Sequence, residues 1–222
     1  MSSKVRRPAL RDLNRDKTIM LTFDDGPDPC YTGRLLDLLQ QHQVKAVFFV
    51  VLEAAKQNED LVKRMLNEGH VVGVHSIRHT SPLLQGFLAT GKEFLAYQDF
   101  FRQYGIRKRY YRPPWGHRNI FTAFFLKKTG IRMILWTAMG DDWKPEATPG
   151  SIQRLCRQRI DRRGIGLQGI SRQRIGRLGI LCLHDAGENS GGAPGAPGRT
   201  IEALSRLIPE WQAQGYHFVV PK

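Results

Sequence analysis

Asp24 and Asp25 are adjacent carboxylates followed at once by Gly26-Pro27, a pairing that turns a chain sharply. If strand geometry persists through them, their side chains face opposite ways, so one can bind a metal while the other faces a reacting water. His75 and His79, four residues apart, can chelate one ion from a single turn or tight loop, imidazole being suited to zinc and related metals. The residue after His75 is serine, not glutamate, so the pair is not the HExxH pattern and any base must come from elsewhere. Asp25 is the natural third ligand, and two histidines with one aspartate leave coordination positions open, as catalytic metal sites do. His184 ends an apolar run and precedes Asp185; in metal-assisted amide hydrolysis such a group protonates the leaving amine. Arg112, within YYRPPWGHRN, can pair with a carboxylate and hold it ionised while Pro113-Pro114 stiffen the loop. Trp115 and Trp143 offer flat apolar surface to a sugar ring or an acetyl methyl. Each feature alone has a plainer reading: a solvated turn, a half-buried histidine, a packing tryptophan.

What unites them is their place relative to the expected elements. Short β-branched or apolar runs alternate with segments of helical period, the signature of βα units and a parallel sheet. Strands are expected at Thr18–Phe23, Ala46–Val50, Val71–Val74, Arg109–Tyr111, Met133–Trp136, Ile180–Leu183 and Phe218–Val220. Helical spacing of leucines and other apolar residues marks Gly33–His42, Asp60–Glu68 and Arg199–Gln214. The polar residues named above fall just after strands: Asp24 and Asp25 after the first, His75 and His79 after the third, Arg112 after the fourth, Asp141–Trp143 after the fifth, and His184–Asp185 after the sixth. In a parallel β/α barrel those strand ends share one face, where active sites assemble from several loops.

The 222 residues, 41% hydrophobic, suffice for one domain with a sizeable core. No run of about 18 apolar residues exists, so no transmembrane segment is expected. The start MSSKVRRPAL is basic without an apolar stretch behind it; no signal peptide is expected, and the chain as it stands reads as cytoplasmic. Cys30, Cys156 and Cys182 are too few and too irregular for a disulfide framework or a thiolate cluster. The formal charge of +14 favours contact with anionic polymers, whether nucleic acid, phospholipid or acidic wall glycan, without choosing among them. Much of that excess lies between Arg157 and Arg177, where seven arginines face one acid, Asp161. There RQRIDRRGI from Arg157 is echoed by RQRIGRLGI from Arg172, a short tandem duplication expected to be a solvated excursion without function. Gly187–Gly198 (GENSGGAPGAPG) reads as a flexible loop.

Taken in order, LTFDDGPDP (Leu21–Pro29), HSIRH (His75–His79), RPPWG (Arg112–Gly116), DDW (Asp141–Trp143) and LCLHD (Leu181–Asp185) resemble the polysaccharide deacetylases with a NodB-homology domain. KAVFFV, LVKRMLNEGHVVGVHS and RTIEALSRLIPEWQAQGYHFV agree as flanking pieces, so the resemblance runs from Lys17 nearly to the end. It implies an α/β fold, a distorted seven-stranded (β/α) barrel of TIM-barrel type over residues 17–222, with 1–16 as an N-terminal extension and a basic insertion near 157–177. It also implies one divalent ion, most often zinc and sometimes cobalt, held by Asp25, His75 and His79. By the same resemblance Asp24 is the general base, His184 the general acid and Arg112 the orienter of the base. The Trp115 backbone N–H would join in stabilising the oxyanion, and Trp143 and Leu183 would line the acetyl pocket. The implied reaction releases acetate from an N-acetylated glycan, with no specific nucleic-acid partner. Members of the family often act in the cell envelope or outside the cell.

The chain departs from that pattern at Met139, where a carboxylate expected to pair with the catalytic histidine usually stands three residues before the Asp-Trp pair. Asp141 or Asp142 is expected to substitute from a shifted loop. The arginine-rich duplication just before LCLHD could push the sixth strand, and His184 with it, out of register. Two alternatives keep part of this reading: a related barrel hydrolysing another amide, such as an amino-sugar lipid deformylase or a ureide hydrolase, and a non-catalytic barrel holding anionic glycan or nucleic acid.

Overall fold

The structure, a computed structural model, describes residues 17–161 and 178–221. The extension 1–16 and most of the arginine-rich duplication lie outside the described residues. In chain order the elements are β1 (Thr18–Asp24), α1 (Thr32–Gln41), β2 (Val47–Val50), α2 (Leu52–Gln57), α3 (Glu59–Asn67), β3 (Val71–Val74), α4 (Phe87–Gln103), β4 (Tyr110–Tyr111), α5 (Ile120–Thr129), β5 (Arg132–Met133), β6 (Ala138–Met139), α6 (Pro149–Asp161), β7 (Leu178–His184), α7 (Ala196–Ala213) and β8 (His217–Phe218). All the strand pairs are parallel, in the order β5-β4-β3-β2-β1-β7-β6, with β8 also beside β1.

Parallel strands covered on both faces need apolar residues on both, and β1 (TIMLTFD) shows how the two faces differ. Ile19, Leu21 and Phe23 enter the large cluster shared with the helices, together with Leu181 and Leu183 of β7 and Leu204, Leu207 and Trp211 of α7. Met20 enters a smaller cluster inside the curl with Val47, Phe49, Tyr110 and Ile180. Because side chains alternate along a strand, Thr22 and Asp24 follow Met20 inward, and Cys182 and His184 follow Ile180. The inner face is thus apolar at the strand starts and polar at their C-terminal ends.

The strand expected at Met133–Trp136 is divided. Residues 132–139 pair first with β4, through β5, and then with β7, through β6, so this one passage joins the two edges of the sheet and curls it into a distorted barrel. Between the two pairings the Ile134 and Leu135 carbonyls accept from the Arg112 guanidinium, at 3.1 and 3.3 Å, instead of from a neighbouring strand. Counting that passage once restores the seven strands. β7 stays in register with β1 across seven residues, from Thr18 opposite Leu178 to Asp24 opposite His184, so the duplication before it causes no slip.

Candidate active site

The inward, C-terminal ends of β1, β4 and β7 carry a chain of buried polar contacts. Arg112, fully buried, donates from Nη1 to Asp24 Oδ1 (2.8 Å) and Thr22 Oγ1 (2.7 Å), besides the two carbonyls of the 132–139 passage. Its guanidinium lies 4.2 Å from the Phe49 ring centroid. A buried charge is tolerable only when paired and hydrogen-bonded, and here both conditions hold. Asp24 Oδ2 accepts from the Cys182 thiol at 3.4 Å.

One strand over, His184 Nδ1 is 2.8 Å from Asp142 Oδ1, and the His184 backbone N–H donates to Asp142 Oδ2 at 2.8 Å. Thr200 of α7 donates its hydroxyl to the same Oδ2 at 2.7 Å. Burial disfavours a charged imidazole, yet the charge and hydrogen bond of Asp142, with Asp25 and Asp24 behind it, outweigh burial and push His184 up to about 10. Asp142, not Asp141, therefore faces the histidine that Met139 leaves without a carboxylate at its own position. Asp141 is held elsewhere: Arg159 of α6 donates Nη1 to Asp141 Oδ1 (2.6 Å) and to the Met139 carbonyl (2.6 Å), and Lys144 reaches Oδ2 at 3.1 Å.

Across the mouth, Asp25, His75 and His79 offer ligand atoms that all lie within 4.8 Å of one another. Asp25 Oδ1 is 3.1 Å from His79 Nε2 and 3.4 Å from His75 Nε2, but without hydrogen-bond geometry, and it is a buried oxygen with no hydrogen-bond partner. His75 Nδ1–H donates to the Arg112 carbonyl at 2.7 Å, which fixes the tautomer and leaves Nε2 with its lone pair towards Asp25. Burial holds His75 below the ordinary imidazole value, favouring the neutral form a metal requires. Burial would raise Asp25, but contact with His79 and the charges of His184 and His75 win, and its carboxyl is lowered. An orphaned buried oxygen between two imidazole nitrogens is the donor set of a divalent ion, so the residues fit one.

The backbone is bent to make this cradle. Asp25, Ser76, His79, Trp115 and Asp141 all have φ between 52° and 90°, and among the described residues Gln43 alone is another non-glycine in that region. Such conformations cost of order 1–3 kcal/mol each and persist where the surroundings enforce them. Two glycines make room for the carboxylates: a Cβ on Gly26 would meet Asp185 Oδ2 at 2.2 Å, and one on Gly187 would meet Asp25 Oδ2 at 2.7 Å. Asp185 is tied back to the start of α1 by the Thr32 hydroxyl (2.6 Å), and burial raises its carboxyl to about 7.

Trp115 and Trp143 are both exposed, Trp115 with its ring edge on His79 at 4.4 Å between centroids and Trp143 beside Asp142 in the chain. Leu183, expected in the acetyl pocket, lies on the opposite face of β7. It is completely buried in the helix-side cluster, because strand alternation sends the neighbour of an inward histidine outward. The inward neighbour is Cys182, a residue that alternation along LCLHD could have picked out. Thr22 was legible in the same way; Thr200 and Arg159, brought in from distant helices, had no local signal. The arginine run is not purely solvated either: besides Arg159, Arg157 pairs with both Glu210 oxygens at 2.7 and 2.6 Å. In the loop read as flexible, α7 already begins at Ala196.

A family model described as polysaccharide deacetylase matches residues 12–134. A peptidoglycan-N-acetylglucosamine deacetylase of Bacillus cereus is 32% identical over 208 residues, covering 93% of this chain and 87% of that protein. The peptidoglycan-N-acetylmuramic acid deacetylase PdaA of Bacillus subtilis is 36% identical over 139 residues, 59% of this chain and 50% of its own length. Among solved structures, the Bc1960 peptidoglycan N-acetylglucosamine deacetylase superposes with a TM-score of 0.75 at 26% identity, covering 93% of this chain and 86% of the other. A family 4 acetyl xylan esterase from Clostridium thermocellum, bound to cobalt, gives a TM-score of 0.71 at 26% identity, covering 91% and 87%. With most of its length matched in sequence and in fold, this chain belongs to the polysaccharide deacetylase family.

Proposed function

We propose that the protein is a metal-dependent hydrolase that removes N-acetyl groups from N-acetylglucosamine-containing glycans and releases acetate. The observation that carries the reading is one mouth flanked by two half-sites: Asp25, His75 and His79 around an orphaned oxygen, and Asp24 with Arg112 facing His184 with Asp142. Asp25, His75 and His79 would hold the ion, zinc in the first instance. A bound divalent ion supplies Lewis-acid polarisation of the acetamide carbonyl and acidifies a water. Asp24, held by Arg112 at Oδ1, takes the proton of the attacking water at Oδ2. The Trp115 backbone N–H donates to the developing oxyanion. His184, kept protonated by Asp142, delivers a proton from Nε2 to the departing sugar amine, giving acetate and a free amine. Trp115 and Trp143 offer the sugar ring and acetyl methyl their apolar faces.

The net charge of +14 supports an acidic wall polymer over a neutral oligosaccharide as the physiological glycan. The named activity of the Bacillus cereus relative points the same way. No helix among the described residues is long and apolar enough to cross a membrane. The test is metal analysis paired with acetate release on N-acetylglucosamine oligomers and on peptidoglycan fragments, comparing wild type with His79→Ala. Acetate from neither glycan by the metal-loaded wild type would remove the reading; faster release from peptidoglycan fragments would support the charge argument.

A further inference from the structure

We infer that Asp24, Cys182 and His184 form a second cation position, selective for thiophilic divalent ions, whose occupation shuts the site down. Their ligand atoms lie within 4.8 Å of one another, on the inward face of two adjacent strands, where Thr22 sits opposite Cys182 and Asp24 opposite His184. In each residue the remaining polar atom is engaged away from the shared space or absent. Asp24 Oδ1 is taken by Arg112, leaving Oδ2 3.4 Å from Cys182 Sγ; His184 Nδ1 is taken by Asp142, leaving Nε2. An imidazole oriented through its other nitrogen is the usual form of a metal ligand. Ligand atoms about 2.0–2.3 Å from a tetrahedral ion stand roughly 3.5 Å apart, so modest side-chain rotation closes this set.

Donor chemistry distinguishes this position from the one at Asp25, His75 and His79. Sulfur separates the two positions: the Asp25 set has none, whereas thiolate selects zinc and cadmium over magnesium, calcium and manganese. Binding releases the Cys182 thiol proton, and any proton on His184 Nε2, to solvent. With both Asp24 Oδ2 and His184 Nε2 on the ion, neither can move a proton for the substrate. The inhibitory consequence rests on the proposed deacetylation; the binding does not.

The test uses protein loaded with no more than one zinc per chain and carrying Cys30→Ser, which removes the exposed thiol. Cadmium is titrated while the ultraviolet thiolate-to-cadmium charge-transfer band, bound zinc and acetate release are followed. The band is blind to exchange at the sulfur-free Asp25 set. The expected result is a band saturating at one cadmium per chain, with acetate release falling in step. Cys182→Val should abolish the band and raise the cadmium needed for half-inhibition at least tenfold, measured against that variant's own uninhibited rate. Cys182→Ser, which keeps a donor towards Asp24, should lose the band as well and covers the case in which the valine variant does not fold. No band in the parent protein, or a band that survives both substitutions, overturns the inference. A Cys182-dependent band in a protein that releases no acetate from any glycan would keep the cation position and overturn the proposed activity.

Discussion

The two halves of the site are built to opposite degrees of completion. On the β7 side, Asp142 has both oxygens occupied by His184 and Thr200, and Arg112 has four partners, so the side chains are locked by the fold itself. On the β3 side, Asp25 Oδ1 has no hydrogen-bond partner, and Asp25, Ser76 and His79 hold left-handed backbone. One half is satisfied from within, its left-handed residue Asp141 clamped by Arg159; the other stores strain together with an unmet acceptor that an external cation would relieve. Stability of the first half should therefore be independent of an ion held by Asp25, His75 and His79, and that of the second should not.

The largest effect expected from breaking this contrast is on the unfinished side. His79→Ala should weaken metal binding by more than about 100-fold and remove acetate release, since a ligand matters more than the outer partners whose loss costs 10–100-fold. Adding zinc should raise the melting temperature of the wild type, in line with the roughly 4 kcal/mol that a ligand at about 1,000 times its Kd contributes. In a Cys182→Val background, which lacks the thiol position, His79→Ala should show almost none of that rise. Asp142→Asn should show all of it, because its contacts lie in the other half; equal zinc responses from the two variants would dissolve the distinction.

Next in size is Asp142→Asn itself, with a fall in kcat on the order of 10²–10⁴ as expected for disabling a general acid. Its signature is in the pH profile. Asp142 raises His184, so the protonated acid persists until pH passes about 10; the variant should lose its alkaline limb at lower pH. The stability linkage has the same sign. A raised folded-state value contributes stability fully present below the unfolded imidazole value of about 6.5 and lost as pH rises through about 10, and Asp142→Asn should forfeit that contribution. An alkaline limb that stays in place would show that His184 is not the acid.

The same contrast explains what could be read without coordinates. The strands β1, β2, β3 and β7 and the helices α1, α3 and α7 carry strong local patterns, and the residues proposed as ligands and acid–base groups sit at the strand ends, where turn chemistry and titratable types stand out against apolar runs. By contrast α5 (IFTAFFLKKT) is apolar on nearly every side and α6 is arginine-rich, so neither shows a clean helical stripe. The divided strand at 132–139 follows from a non-local cause, Arg112 taking two carbonyls. Leu183 stands one residue from an inward position, which on a strand is the difference between the two faces. The choice between Asp141 and Asp142 depended on Thr200 and Arg159, 58 and 18 residues further along the chain.

Arg159→Met addresses that last point with the smallest expected effect. Arg159 grips both Asp141 oxygens and the Met139 carbonyl, so it fixes the bend at which Asp141 holds φ 52° and from which Asp142 is presented to His184. It touches neither His184 nor the mouth and can act only through the backbone between residues 139 and 142. Lys144 keeps one oxygen of Asp141 in place, and Thr200 with the His184 amide still holds Asp142, so the loss should be partial. A fall in kcat of less than about tenfold, on the scale of 1 kcal/mol, is expected, with KM and zinc content unchanged. The alkaline limb should move down in pH by less than in Asp142→Asn, and Arg159→Lys should recover part of the shift by restoring one charged donor. A loss of kcat without movement of the pH limb would mean that Arg159 merely stabilises α6; a shift as large as that of Asp142→Asn would mean that the β7 half depends on this clamp instead of on its own hydrogen bonds.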